Sequence, residues 1–97
     1  MKKQDINRYI VRTNNVLGGR PHINSTRISV RTITNGYKKG YSPDEIMEQY
    51  DQISLFQIYA ALTYYHANQK EIEDDIMEED KEYNRLFNKY NQLSKSS

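Results

Sequence analysis

The side chains that could do chemistry fall into three groups. The first is Glu71-Ile72-Glu73-Asp74-Asp75-Ile76-Met77-Glu78-Glu79-Asp80, seven acids in ten positions. Spaced carboxylates can hold Mg²⁺ or Ca²⁺. This run lacks the central glycine of a calcium loop and carries a helical repeat, so a solvated acidic helix face accounts for it better than a metal site. The second group is His22 and His66, far apart and accompanied by no cysteine. Neither sits in a nucleophile motif, and Ser25, Ser42 and Ser54 fit turn and cap roles. Gly18-Gly19 lacks the Lys-Ser/Thr that a phosphate loop needs. The expectation is no metal, no cofactor and no enzymatic activity.

The third group is the cations. Residues 1–41 carry nine Lys/Arg against the single acid Asp5, a balance of +8, while residues 42–97 carry five against twelve acids, a balance of −7. Such a split suggests two different partners, one of them nucleic acid, or a homodimer whose basic and acidic ends face each other. Arg12, Arg20, Arg27, Arg31, Lys38 and Lys39 are the cations placed to grip DNA phosphate.

The elements that must position these groups are small. The chain has 97 residues, 36% of them hydrophobic, with a mean hydropathy of −0.98 and nine tyrosines. That is one domain with a thin core, which a second copy or a partner would complete. Absence of cysteine excludes disulfides and thiolate metal sites. No apolar run reaches the length of a membrane span and no signal peptide follows Met1-Lys2-Lys3, so a cytoplasmic location is expected.

Arg8 to Thr13 reads as a short strand. His22 to Val30 reads as an imperfect strand or a tight hairpin bent near Asn24-Ser25. Gly18-Gly19 let the chain reverse between them, and Pro21 fixes the re-entry. Val30, Ile33 and Tyr37 mark a helix over about 31–39, with Gly40 as its stop. Ser42-Pro43-Asp44-Glu45 and Ser54-Leu55-Phe56-Gln57 are two capping boxes, each stapled by flanking apolar residues. They start helices at about 43 and 55. The apolar series then continues at alternating fours and threes through Ile72, Ile76, Tyr83, Leu86 and Tyr90, with a helix break favoured near Asn68.

The fold class expected is mainly α with a small N-terminal β unit: a tri-helical, helix-turn-helix-like core plus an extended C-terminal helix. Residues 1–69 form the domain, and 70–97 form an acidic amphipathic helix with little of its own subunit left to cover. Ile72, Ile76, Tyr83, Leu86, Phe87 and Tyr90 are its partner-binding stripe, with its acids toward a basic partner. Gln57 and Thr63 could read base edges. However, residues 44–69 contain no Lys or Arg, and the arc of Phe56, Ala60, Thr63 and Ala67 suits a dimer interface at least as well.

Gly19, Pro21, Ile23, Thr26-Arg27-Ile28, Val30, Ile33, Gly40, Ser42, Glu45-Ile46, Tyr50, Ile58, Ala60-Ala61-Leu62 and Tyr64-Tyr65 together resemble the family catalogued as domain of unknown function 433, over about residues 8–73. Ser25 replaces the glycine usual before Thr-Arg, which suggests a more extended bend. Asp51 replaces a proline after Tyr50, which suggests a looser turn. That family resembles VapB-type antitoxins. The resemblance implies a cytoplasmic antitoxin that neutralises a PIN-like ribonuclease toxin and binds its own operator DNA. The competing reading is a dimeric protein-interaction module that never meets DNA.

Overall fold

The computed structural model describes residues 6–95. Two short 3₁₀ turns, Ile6–Arg8 and Leu17–Gly19, flank strand β1 (Ile10–Val11), which pairs antiparallel with β2 (His22–Ile23) in the register Ile10 with Ile23 and Val11 with His22. Helices α1 (Val30–Lys38), α2 (Pro43–Glu48), α3 (Leu55–Ala67) and α4 (Gln69–Lys95) follow. The protein is therefore mainly helical with a two-stranded N-terminal sheet, as the pattern of the sequence predicts.

Local chemistry explains each boundary. Of the two forms the sequence allows for His22 to Val30, the chain adopts the tight hairpin, with only His22–Ile23 in the strand. Ile23 N–H donates to the Ile28 carbonyl, and His22 bridges to Ser29. Its bend puts Ser25 at φ +66°, so the serine does not open the turn; it accepts a left-handed conformation that glycine would take without strain. Ser29 caps α1 through Thr32 N–H, and both Ser42 with Glu45 and Ser54 with Gln57 form complete capping boxes. At Gly36 α1 faces α2, and an added Cβ would make ordinary contact with the Ile46 side chain at 3.4 Å. Asn68 leaves helical geometry at φ −138°, ψ 47°, and its side-chain amide donates to the Tyr64 carbonyl. Helix α3 ends there and α4 sets off in a new direction.

The core gathers Ile10, Ile23, Val30, Ile33, Ile46, Ile53, Ile58, Ala61, Leu62 and Tyr65 from both strands, α1 to α3 and the α2–α3 connection. It also includes Ile72 and Ile76, which are 0% and 8% exposed. This corrects two expectations. The first turns of α4 are part of the same packing unit as residues 6–68, so position 69/70 does not divide the chain into two units. Ile72 and Ile76 cannot serve as a partner-binding surface, because the chain's own core already covers them. The cause is the break at Asn68, which turns the early face of α4 back onto α1 and the β unit. Without that break, α4 would continue α3 away from the core.

Ile72→Ala removes a fully buried side chain and should lower stability by about 2–4 kcal/mol, read from the urea midpoint. A chain ending at Asn68 should lose cooperative unfolding, while one ending at Glu82 keeps it. Ser25→Gly should raise stability by about 0.5 kcal/mol, because relief of the left-handed strain exceeds the added unfolded-state entropy; a lower midpoint would contradict that account.

Candidate functional site: one helix with a clasped half and a bare half

The basic N-terminal half and the acidic C-terminal helix meet each other within one chain. Asp75 is the centre of the contact. Its Oδ1 accepts from Arg20 Nε at 2.6 Å and from Arg31 Nη1 at 3.1 Å. Arg31 also reaches Glu79 Oε2 at 3.2 Å, and Glu79 accepts from the Asn35 amide at 3.2 Å. One turn earlier, Glu71 pairs with Arg12 and accepts from the Tyr64 hydroxyl at 2.8 Å. On the other flank Glu73 accepts from Tyr65 Oη at 2.8 Å and from Lys38 Nζ at 3.4 Å. Carboxylates at 71, 75 and 79 follow the i, i+4 spacing of one helix edge. They lie beside Ile72 and Ile76, so apolar burial and ion pairing hold the same two turns.

The surroundings tune these groups. Hydrogen bonds from Tyr65 and then Lys38 hold the Glu73 carboxyl below its ordinary value of 4.5. Burial, reinforced by the bond to Glu71, pushes the Tyr64 phenol up, and the bond to Glu73 does the same to Tyr65. The side chains of Arg31 and Asp75 are only 17% and 13% exposed. Removing either charge therefore strands the other in a poorly solvated place.

Four of the six cations expected on DNA, Arg12, Arg20, Arg31 and Lys38, are thus turned to α4 carboxylates. Arg27 and Lys39 are exposed and make no ion pair among the described residues. Gln57, expected to read bases, has its side-chain oxygen on the Ser54 N–H as a cap. Thr63 lines an open groove with Ile6, Tyr9, Phe56, Tyr59 and Ala60. The expected dimer arc is narrower than the helical wheel suggests. Ala60 belongs to the chain's own core, and the Tyr9 ring meets Phe56 edge-on at 4.8 Å, while Ala67 stays exposed. His22 is buried between the Thr13 hydroxyl and the Ile23 carbonyl, both at 3.0 Å, and His66 packs against the rings of Tyr37 and Tyr65. Among the described residues no three His, Asp or Glu side chains gather into a metal-holding group, and no helix is long and apolar enough to cross a membrane.

Beyond Asp80 the character of α4 reverses. Tyr83, Leu86, Phe87 and Tyr90 continue the stripe of Ile72 and Ile76, but they are 51–68% exposed. Tyr83 and Phe87 stack on each other, with centroids 6.2 Å apart. A helix of 27 residues spans about 40 Å, and the molecule measures 65 × 29 × 23 Å, so the distal half of α4 stands clear of the globule. Its flanks carry Lys81, Arg85 and Lys89 with Glu82, whereas earlier in the helix Glu71, Glu73, Asp75 and Glu79 are held inward and Asp74, Glu78 and Asp80 stay exposed.

The family model described as "Protein of unknown function (DUF433)" matches residues 10–65. The chain belongs to the DUF433 family. The crystal structure of a DUF433 member protein from Anabaena variabilis ATCC 29413, at 2.00 Å resolution, is similar with a TM-score of 0.69 and 30% identity, covering 72% of this chain and 69% of that one. No curated protein matches. The matched DUF433 segment contains the β unit, α1, α2 and all but the last two residues of α3; α4, with both its clasp and its bare stripe, lies beyond it.

Asp75→Asn should cost about 1–3 kcal/mol, because Arg20 and Arg31 lose their shared charge partner. Lys38→Ala, whose pair lies in water, should change the urea midpoint less. Glu73 has a depressed folded pKa, so its contribution is present above 4.5 and is lost as pH falls through the folded value. Glu73→Gln should therefore flatten the stability profile below pH 4.5 and leave its shape near neutrality unchanged; an unaltered acid limb would remove Glu73 from the account.

Proposed function

We propose that this chain is a cytoplasmic protein-binding regulator of the antitoxin type. In this reading the distal half of α4, through Tyr83, Leu86, Phe87 and Tyr90, docks on a PIN-like ribonuclease toxin. The observation that carries the proposal is the exposed stripe: four large apolar or aromatic side chains on one face of a projecting helix. Such a face is seldom left in water, because a helix with an uncovered apolar stripe has little to stabilise it. The antitoxin role itself comes from the resemblance of the family to VapB-type antitoxins.

The geometry changes what the toxin surface should look like. Acids at 71, 73, 75 and 79 face the chain's own cations and are not available to cover a basic partner. The distal flanks carry Lys81, Arg85, Lys89, Asn84 and Asn88 against the single acid Glu82, which Arg85 already pairs, so their balance is basic. The matching surface is an apolar groove with an acidic rim. The same ion pairs weaken the operator-binding part of the antitoxin reading, since of the six cations expected on DNA they leave only Arg27 and Lys39 unpaired among the described residues, with Arg8 in addition to them. Protein binding is therefore the better-supported activity.

Co-expression with the small protein encoded by the adjacent reading frame tests this. The full chain should co-purify with it and relieve its growth inhibition. A chain ending at Glu82, or the Leu86→Asp/Tyr90→Asp variant, should stay folded by circular dichroism yet lose both effects. Undiminished co-purification by either would move the docking surface off α4.

A further inference from the structure

We infer that in the isolated protein the distal stripe of α4 is covered by a second copy of this chain, laid antiparallel across it. The inference goes beyond the toxin reading and concerns the chain alone. Its basis is the charge pattern around the stripe. In the repeat that places Tyr83, Leu86 and Tyr90 on the seam, Glu82 and Lys89 occupy equivalent flanking positions one heptad apart. In an antiparallel pair centred between Tyr83 and Leu86, Glu82 of each copy faces Lys89 of the other. Tyr83 then packs on Leu86 of the second copy, and Leu86 on Tyr83. The arrangement is a two-fold one in which every contact occurs twice. Within its own chain Glu82 already pairs with Arg85 at 2.6 Å, so the antiparallel pair lets it bridge two cations and gives Lys89 an acid. A parallel pair would set Glu82 beside Phe87, add no second cation and bring Lys89 no acid. It would also bring both globules to the same end of the helices, where each already occupies the seam next to Ile72 and Ile76.

The cleft at the root of the bare segment agrees with this alignment. It is open, lies between α4 and the clasp, and is lined by Arg20, Arg31, Glu79, Glu82, Tyr83 and Leu86. Running antiparallel, the second helix carries its Tyr90 to the level of Glu79, at this cleft. A tyrosine suits it: the ring lies on Tyr83 and Leu86, and the hydroxyl lies among charged acceptors and donors. The dimer is thus continuous with the clasp, and each globule supplies the wall that receives the other's helix end. A partner protein that takes the stripe displaces the second copy, so a complex with that partner holds one copy of this chain per stripe.

Sedimentation equilibrium with charge-reversed variants tests the inference. The wild-type chain should dimerise at micromolar concentration, and Leu86→Asp should sediment as a monomer with unchanged helix content. Glu82→Lys and Lys89→Glu should each weaken the dimer by about fivefold to tenfold, since each sets like charges against each other at both ends. The combined Glu82→Lys/Lys89→Glu variant should regain the wild-type constant to within about twofold, because opposite charges face each other again. A wild-type chain still monomeric at millimolar concentration, a Leu86→Asp variant that dimerises as well as wild type, or a double reversal no tighter than either single one would each overturn it. None of these outcomes depends on the toxin assay, so the two proposals fail separately.

Discussion

The rest of the structure depends on Asp75, a carboxylate shared by Arg20 and Arg31 at the edge of the core. Arg20 follows the glycine turn and Arg31 opens α1. The shared oxygen therefore ties the β unit, the tri-helical core and α4 to one point. Ile72 and Ile76, on the adjoining face, supply the apolar burial. Hydrophobic contact gives most of the attraction and is non-directional. The ion pairs set the rotation of the helix about its own axis, because they are satisfied on one face only.

That rotation determines what α4 presents further along. The stripe facing the core at Ile72 and Ile76 is the stripe that emerges bare at Tyr83, Leu86, Phe87 and Tyr90. The proximal half gives the distal half a fixed direction and a rigid base. A surface built on an anchored helix is already ordered before it binds, so association costs less conformational entropy than folding a free tail onto a partner. This favours a docking element over a disordered arm.

Much of the fold was legible in the sequence, because its signals are local. The two capping boxes, the stop at Gly40 and the break near Asn68 each depend on a few adjacent residues. The stretch at Asn24-Ser25 fits two forms, since strand alternation and a tight turn look alike over so few residues. Ser25 was misleading because its left-handed conformation depends on the hydrogen bonds around it, not on its own preference. The site was only half legible. The exposed stripe follows from periodicity, but where the core stops covering it does not; that is set by how α4 folds back, which is a tertiary fact. The charge split bears on the contact within the chain. Balances of +8 and −7 nearly cancel, and acids at 71, 75 and 79 flank Ile72 and Ile76, so a contact within the chain was as natural a reading as two outside partners.

The central claim is that one continuous helix has a proximal half locked into the core and a distal half that needs another chain. Native-state amide hydrogen exchange along α4, followed from dilute to concentrated protein, tests it most directly. The account predicts that amides of residues 73–79 exchange as slowly as those of α3 at every concentration. Amides of residues 84–92 should exchange far faster in dilute protein and slow as the chain associates. Equal protection along the whole of α4 in dilute protein would contradict it, as would proximal amides that exchange as fast as the distal ones.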